Sequence, residues 1–241
     1  MWSFFKSKAE VKPLYKTDIH SHLLPGIDDG VKTLQEAEQV INILMEAGLS
    51  KAITTPHIII DQYRNTPAII RAKAAELNDH LLKRNIPFVL EAAAEYMFDE
   101  SVFETLMKGE ELLTFAGQYL LFETNTYAEP INLNDFIFRL KVKGYIPVMA
   151  HPERYKYLYN NLERAEDLQD RGVLFQVNAL SLMGNYSKPV QKVAIEFLNK
   201  KMIHFIGTDC HGIKHAQLIK TGIANKYFQQ ALELPLLNYS I

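Results

Sequence analysis

The sequence predicts an α/β fold in which about seven parallel strands and their helices close, or nearly close, into one barrel. Three observations predict it. Short apolar, strand-like runs alternate along the chain with helical stretches, the rhythm of βα units. The 241 residues contain no long Pro/Gly/Ser-rich or low-complexity break, and a single barrel accommodates that length. Polar residues recur at the C-terminal ends of the apolar strand cores, the face on which an α/β barrel builds its active site.

The elements follow in order. Asp18 to His20 ends the first strand, and TLQEAEQVINILMEAG reads as the first helix. Thr33 stands at its N-cap with Glu36 at the capping-box spacing, Leu34, Ala37, Val40, Ile41 and Leu44 line one face, and Gly48 marks the stop. KAITTPH, Lys51 to His57, changes to a strand running into a loop. TPAIIRAKAAELNDHLLKR opens a second helix with Pro67 in its first turn. IPFVLEAAAEY returns to strand and ends near Glu95; the same pattern recurs in YLLFETN near Glu123, IPVMAHPERY near His151, VLFQVNA near Asn178 and MIHFIGTDCH near Asp209. Helices are expected around Leu133 to Lys143, Leu162 to Arg171, Pro189 to Asn199 and His215 to Leu232.

Charge and cysteine usage narrow the function classes. With 26 Lys and Arg against 28 Asp and Glu the formal charge is -2, without the basic excess of a nucleic-acid footprint. Cys210 is the only cysteine, which excludes an internal disulfide framework and a thiolate-built zinc site and fits a reducing compartment. In MWSFFKSKAEVKP the apolar run WSFF is too short to span a bilayer, and no later window reaches 18 apolar residues. Residues 1–16 are therefore expected to be an N-terminal extension and residues 17–241 a single barrel domain, with no transmembrane segment, in a cytoplasmic protein. A monomer is the default.

Nine residues stand at or just after expected strands: His20, His22, Asp29, His57, Glu95, Glu123, His151, Asp209 and His211. Imidazole nitrogen with carboxylate oxygen suits Zn, Mn or Fe, whereas an all-oxygen set suits magnesium. One tetrahedral ion takes about four ligands. Nine candidates therefore imply two or three ions with bridging carboxylates. HSH at positions 20 to 22 and TDCH at 208 to 211 place paired candidates at two strand ends. His57 and His151 adjoin prolines and have turn or core-edge roles as ordinary alternatives; Glu95 and Glu123 emerge from apolar runs, where a carboxylate needs either a metal or a salt bridge. Asp28 remains the alternative to Asp29.

The ordered set HSH, DDG, TPH, AAAEY, FET, AHPERY and TDCH, from about Asp18 to His215, resembles the PHP (polymerase and histidinol phosphatase) superfamily. It is most similar to the bacterial tyrosine-protein phosphatase branch associated with capsule or exopolysaccharide biosynthesis. The resemblance implies a distorted (β/α)7 TIM-like barrel of PHP type with a trinuclear centre, commonly three Mn(II), iron and zinc being alternatives. On the matching motifs His20, His22, Glu95 and Asp209 form one side, Glu95 bridges to a second ion near Glu123 and His151, and Asp29, His57 and His211 complete the set.

The implied activity is hydrolysis of phosphotyrosine by metal-activated hydroxide attacking phosphorus in line. The implied target is the tyrosine-rich tail of a polysaccharide-associated kinase, which would bring the protein near the inner membrane. Arg154 in HPERY is the candidate phosphate fork, a pair with Glu153 or with solvent being the alternative. Lys214 stands where the resembling phosphatases often carry a phosphate-binding arginine, and lysine lacks the planar fork. His215 is a candidate to protonate the leaving phenolate or bind phosphate, or else begins a helix. Cys210 lacks the arginine that a cysteine phosphatase has after five intervening residues; Ala216 is there. Tyr63, Tyr96, Tyr127 and Tyr155 are candidates to accept a phenyl ring. The competing readings are a small-molecule phosphomonoesterase, such as a histidinol-phosphate phosphatase, and a noncatalytic regulatory PHP scaffold.

Overall fold

A computed structural model describes residues 11–13 and 15–241. Residues 1–10 and 14 of the expected N-terminal extension lie outside the described residues. The elements run β1 (Thr17–Asp18), α1 (Leu34–Glu46), β2 (Lys51–Thr54), β3 (His57–Ile58), α2 (Pro67–Lys83), β4 (Val89–Ala92), β5 (Glu95–Met97), α3 (Glu100–Lys108), β6 (Tyr119–Glu123), α4 (Leu133–Val142), β7 (Ile146–Ala150), α5 (Leu162–Asp170), β8 (Leu174–Asn178), α6 (Ala179–Met183), α7 (Lys188–Asn199), β9 (Phe205–Gly207), α8 (Ile213–Gly222) and α9 (Lys226–Ala231).

All strand pairs are parallel. β1-β2-β4 form one sheet and β3-β5-β6-β7-β8-β9 another, yet Lys51↔Val89 and His57↔Glu95 keep one register. β2 with β3, and β4 with β5, are thus two strands interrupted at 55–56 and 93–94. Pro56, without an N–H, sits in the first gap and lends its carbonyl to Glu95 N at 3.1 Å. Seven physical strands result. The last meets the first through a bridge between Ser21 and Cys210, with His22 N donating to Cys210 O at 3.0 Å and Asp209 N to His20 O at 2.8 Å. This is the distorted seven-stranded barrel that the resemblance implied.

Alternation along the strands sorts the core into two clusters. Ile19, Ile53, Leu121, Val148, Ala150 and Phe205 pack with Phe115 and the C-terminal Leu237 and Ile241 to fill the barrel. Their neighbours Leu120, Phe122, Met149, Phe175, Val177 and Ile206 face the helices in a larger cluster with Phe136, Leu140 and Phe197. Apolar filling at one end leaves the inward positions at the other end of β6 and β8 to Glu123, Gln176 and Asn178.

Thr33 caps α1 by accepting from Glu36 N at 3.1 Å, but the Glu36 carboxylate takes Lys32 N at 2.8 Å, so the expected box closes one residue early. Two helices were not anticipated from the sequence: α3, capped by Asp99 and ended by Gly109 in the left-handed region, and the short α6. The expected helix from His215 to Leu232 is two helices, because Asn225 leaves helical geometry to cap α9 through Tyr227 N. No helix of the described residues is long and apolar enough to cross a membrane.

Candidate metal centre

The nine residues singled out in the sequence converge on the C-terminal mouth of the barrel. His20 and His22 follow β1, Asp29 lies in the next loop, and His57 and Glu95 begin β3 and β5 in direct register. Glu123 ends β6, His151 follows β7, and Asp209 and His211 follow β9. His151 (φ 33°) and Asp209 (φ 50°) both adopt left-handed backbone conformation where their strands stop. Such strain, uncommon for residues with a Cβ, breaks strand alternation at two corners of the site.

The floor of the cluster is buried. The side chains of His20, His22 and Glu95 are 0 % exposed. Glu95 Oε2 lies 3.2 Å from His20 Nε2, 3.6 Å from His22 Nε2 and 3.1 Å from His57 Nδ1, while Oε1 lies 3.1 Å from His151 Nε2. Glu123 Oε1 approaches His57 Nδ1 at 3.1 Å. Asp209 Oδ1 sits 3.5 Å from His20 Nε2 and 3.4 Å from both His22 Nε2 and His211 Nδ1. Asp29 forms the rim, its side chain 51 % exposed, with Oδ1 3.5 Å from His57 Nε2 and 3.4 Å from His211 Nε2.

Four overlapping groups have donor atoms close enough to share an ion: His22, Asp29, His57 and His211; His20, His22 and Glu95; His20, His151 and Asp209; and His57, Glu95 and Glu123. Cations fit this donor set for a reason visible in the geometry. Glu95 Oε2 and His57 Nδ1 are buried 3.1 Å apart, and neither has a hydrogen-bond partner among the described residues. A buried carboxylate oxygen without a partner is costly unless something positive occupies the space it faces.

Without ions the imidazoles themselves carry that charge. Burial disfavours protonation of His20, but Glu95 and Asp209 outweigh it and push the ring up to about 10. His57 is driven up to about 12 by Glu95 and Glu123 against the same opposition. Conversely, burial raises Glu95 and Asp209, yet the neighbouring histidines hold both well below the ordinary carboxylate range. Asp29 is lowered to about 2, chiefly by the His211 hydrogen bond.

A buried polar shell, largely unanticipated from the sequence, orients these groups. His22 Nδ1 donates to Asp28 Oδ2 at 2.8 Å, and Asp28 also accepts from Gly30 N and His57 N. Asp28 therefore supports the site from behind while Asp29 faces it. His20 Nδ1 donates to Gln176 Oε1 at 2.7 Å; Gln176 Nε2 donates to Asn178 Oδ1, and Asn178 Nδ2 to Asp209 Oδ2 at 2.7 Å. Asp18, behind His20, accepts from Thr208 N at 2.9 Å. The signal for Gln176 and Asn178 was present: two amides at alternate positions of an otherwise apolar strand.

Arg154 Nη1 donates to Asp209 Oδ2 at 3.1 Å, and its side chain keeps 38 % exposure at the rim. It does not pair with Glu153, which turns into the fold and accepts from Asn178 N and Ser181 Oγ. His215 is half-buried, and its Nδ1 accepts from His211 N at 3.3 Å. Lys214 is exposed on the first turn of α8 and makes no hydrogen bond or ion pair with the cluster among the described residues. Cys210 is buried between Asp209 and His211, and burial pushes its thiol up to about 12. Of the four tyrosines, Tyr96 and Tyr155 are buried with their hydroxyls accepting from Leu113 N and Thr124 N. The Tyr155 ring meets His151 edge-on, 5.8 Å between centroids, but is buried.

Residues 16–227 match the capsular polysaccharide synthesis family CpsB/CapC. The chain belongs to this family. It is 31% identical over 197 residues to the tyrosine-protein phosphatase YwqE of Bacillus subtilis, covering 82% of this chain and 78% of that protein. It is 25% identical over 201 residues to the tyrosine-protein phosphatase CpsB of Streptococcus pneumoniae, covering 81% and 83%. A structure from the crystallographic work on YwqE and CpsB, described there as unique metal-dependent tyrosine phosphatases, superposes with a TM-score of 0.77 at 30% identity, over 90% of this chain and 85% of that one. Histidinol phosphate phosphatase from Lactococcus lactis shares the fold alone, with a TM-score of 0.52 at 11% identity over 87% and 94%. The CpsB/CapC match runs from β1 to the start of α9 and so includes all nine clustered residues.

Proposed function

We infer that this CpsB/CapC member is a metal-dependent protein-tyrosine phosphatase, holding three Mn(II) ions and acting on a tyrosine kinase of polysaccharide biosynthesis. One observation carries the metal requirement: the buried, unpartnered Glu95 Oε2 with three imidazole nitrogens around it. The tyrosine phosphatases among its relatives support the substrate, and the family's capsular role supports the kinase target.

The four donor groups support a reading of the ligands. His22, Asp29, His57 and His211 would hold one ion, His20, His151 and Asp209 a second, and His57, Glu95 and Glu123 a third, each Glu95 oxygen facing different histidines. When bound, divalent ions supply Lewis acidity that lowers the pKa of water and neutralises phosphoryl oxygens.

The protein's own groups do the rest. Arg154, fixed on one side by Asp209, presents its remaining guanidinium donors to phosphate oxygens. Burial and neighbouring His211 lower the pKa of His215, so its ring is neutral at pH 7. Because Nδ1 accepts from His211 N, the proton sits on Nε2, where it can be given to a departing phenolate. Lys214, exposed beside it, is the remaining cation for the phosphate.

Chelation followed by Mn(II) restoration tests this reading. Phosphate release from a phosphotyrosine peptide is expected to disappear and return, at rates exceeding those on histidinol phosphate. A folded chain that takes up no metal and releases no phosphate would instead be a regulatory scaffold.

A further inference from the structure

Between β3 and α2 the chain makes a small closed hairpin. Ile59 N donates to Tyr63 O at 3.0 Å and Tyr63 N to Ile59 O at 2.8 Å, leaving Ile60, Asp61 and Gln62 as an exposed tip. Asn65 Nδ2 ties the base down by donating to His57 O at 2.8 Å and Ile27 O at 2.9 Å. The hairpin is thereby fastened to the backbone of a clustered histidine and to the loop that carries Asp28 and Asp29.

Tyr63 is the side chain this hairpin delivers to the site. Its ring lies nearly parallel to His57, 5.7 Å between centroids at 14°. Unlike Tyr96 and Tyr155, it remains partly exposed, and its hydroxyl accepts or donates no hydrogen bond among the described residues. Tyr127, the fourth tyrosine, already has the Lys156 ammonium 4.1 Å from its ring centre. Of these four tyrosines, Tyr63 combines contact with His57, partial exposure and a pinned backbone. A rigid ring beside the rim offers apolar area at small entropic cost. An alkyl ester has no face with which to match it.

We propose that Tyr63 is a specificity-determining residue, its ring forming the wall against which the aryl group of the substrate packs while the phosphoryl group enters the His57 side of the cluster. This rests on the phosphatase reading for the natural substrate, but the recognition can be measured without turnover.

The experiment is competitive binding of phenylphosphonate and methylphosphonate to the Mn(II)-loaded full chain, for wild type, Tyr63→Ala and Tyr63→Phe, with metal content quantified in each. The wild type is expected to prefer the phenyl ligand, Tyr63→Ala to lose about tenfold of that preference, and Tyr63→Phe to keep it. An unchanged preference in Tyr63→Ala, or none in the wild type, overturns the proposal. So does an equal loss on both ligands accompanied by loss of metal, which would show that Tyr63 acts only through His57. Should phosphotyrosine not be hydrolysed at all, the phosphatase reading fails, while the ratio of the two phosphonates still decides the role of Tyr63.

Discussion

Asp28 Oδ2 accepts from His22 Nδ1 at 2.8 Å, and the adjacent Asp29 carboxylate instead approaches His57 and His211. Two neighbouring carboxylates in one loop therefore have separate tasks. By taking the Nδ1 proton, Asp28 fixes the tautomer that leaves His22 Nε2 free toward Glu95 and Asp209. Asp28→Asn keeps the shape but can rotate an amide N–H toward the ring. It is expected to weaken Mn(II) binding by about 10–100-fold without unfolding the barrel. Asp29→Asn removes a rim oxygen and should reduce the number of bound ions. Metal titrations of both variants check this, and unchanged affinity in Asp28→Asn would show that the pair at 2.8 Å orients nothing.

Gly207 marks another constraint on the same histidines. A Cβ there would lie 2.7 Å from both His20 Cβ and Gln176 Nε2. The strand pair β8–β9 holds Asn178 against Gly207, so neither neighbour retreats without moving the Gln176–His20 hydrogen bond. Gly207→Ala is expected to cost about 1–3 kcal/mol of stability from overpacking and to lower metal affinity together with it. Denaturant unfolding of the chelated protein separates the two effects. A variant as stable as wild type with full metal content would mean that the site relaxes more freely than its packing implies.

The clustering of the nine residues was legible in the sequence because barrel topology brings successive strand ends together whatever their separation along the chain. His20, Glu95, Glu123, His151 and Asp209 each ended an apolar run and each reaches the mouth. The choice between Asp28 and Asp29 was not legible, since nothing in two adjacent carboxylates says which one a histidine behind the loop will engage. Nor was the partner of Arg154: Glu153 was the nearer carboxylate in sequence, but the helical turn after His151 sends the two side chains in different directions. The split at Asn225 escaped because apolar spacing continues across it, while the cap that breaks it is a local side-chain bond. α3 carried an Asp99 cap and a Gly109 stop that periodicity alone underweights.

Cys210 offers a clean separation of metal from thiol chemistry. Its side chain is buried, its Sγ faces Gly212 O at 3.5 Å, and burial keeps the thiol protonated up to about 12. A thiol in that state is neither an accessible nor an ionised nucleophile. Folded protein is expected to resist iodoacetamide at pH 8, and Cys210→Ser to retain metal-dependent phosphate release. Complete loss of turnover in a folded, metal-loaded Cys210→Ser variant would overturn the metal mechanism.

Protons and metal ions compete for the same atoms, which fixes the sign of the pH dependence. In the metal-free chain, Glu95 and Asp209 hold His20 protonated up to about 10, from an ordinary value of 6.5. The folded state therefore binds more protons than the unfolded state between those values, and stability falls as pH rises through that window. Contributions from this imidazolium are complete below 6.5 and gone above about 10. His57, raised to about 12, extends the decline further. A metal-loaded cluster has neutral imidazole ligands already and should not share it. Thermal melts at pH 7 and pH 10 are thus expected to show the chelated protein losing stability and the gap to the Mn(II) form widening. At pH 7, metal uptake must expel the protons from His20 and His57. Calorimetric titrations in two buffers of different ionisation enthalpy should report that release, and heats independent of buffer would contradict an imidazole-bound site.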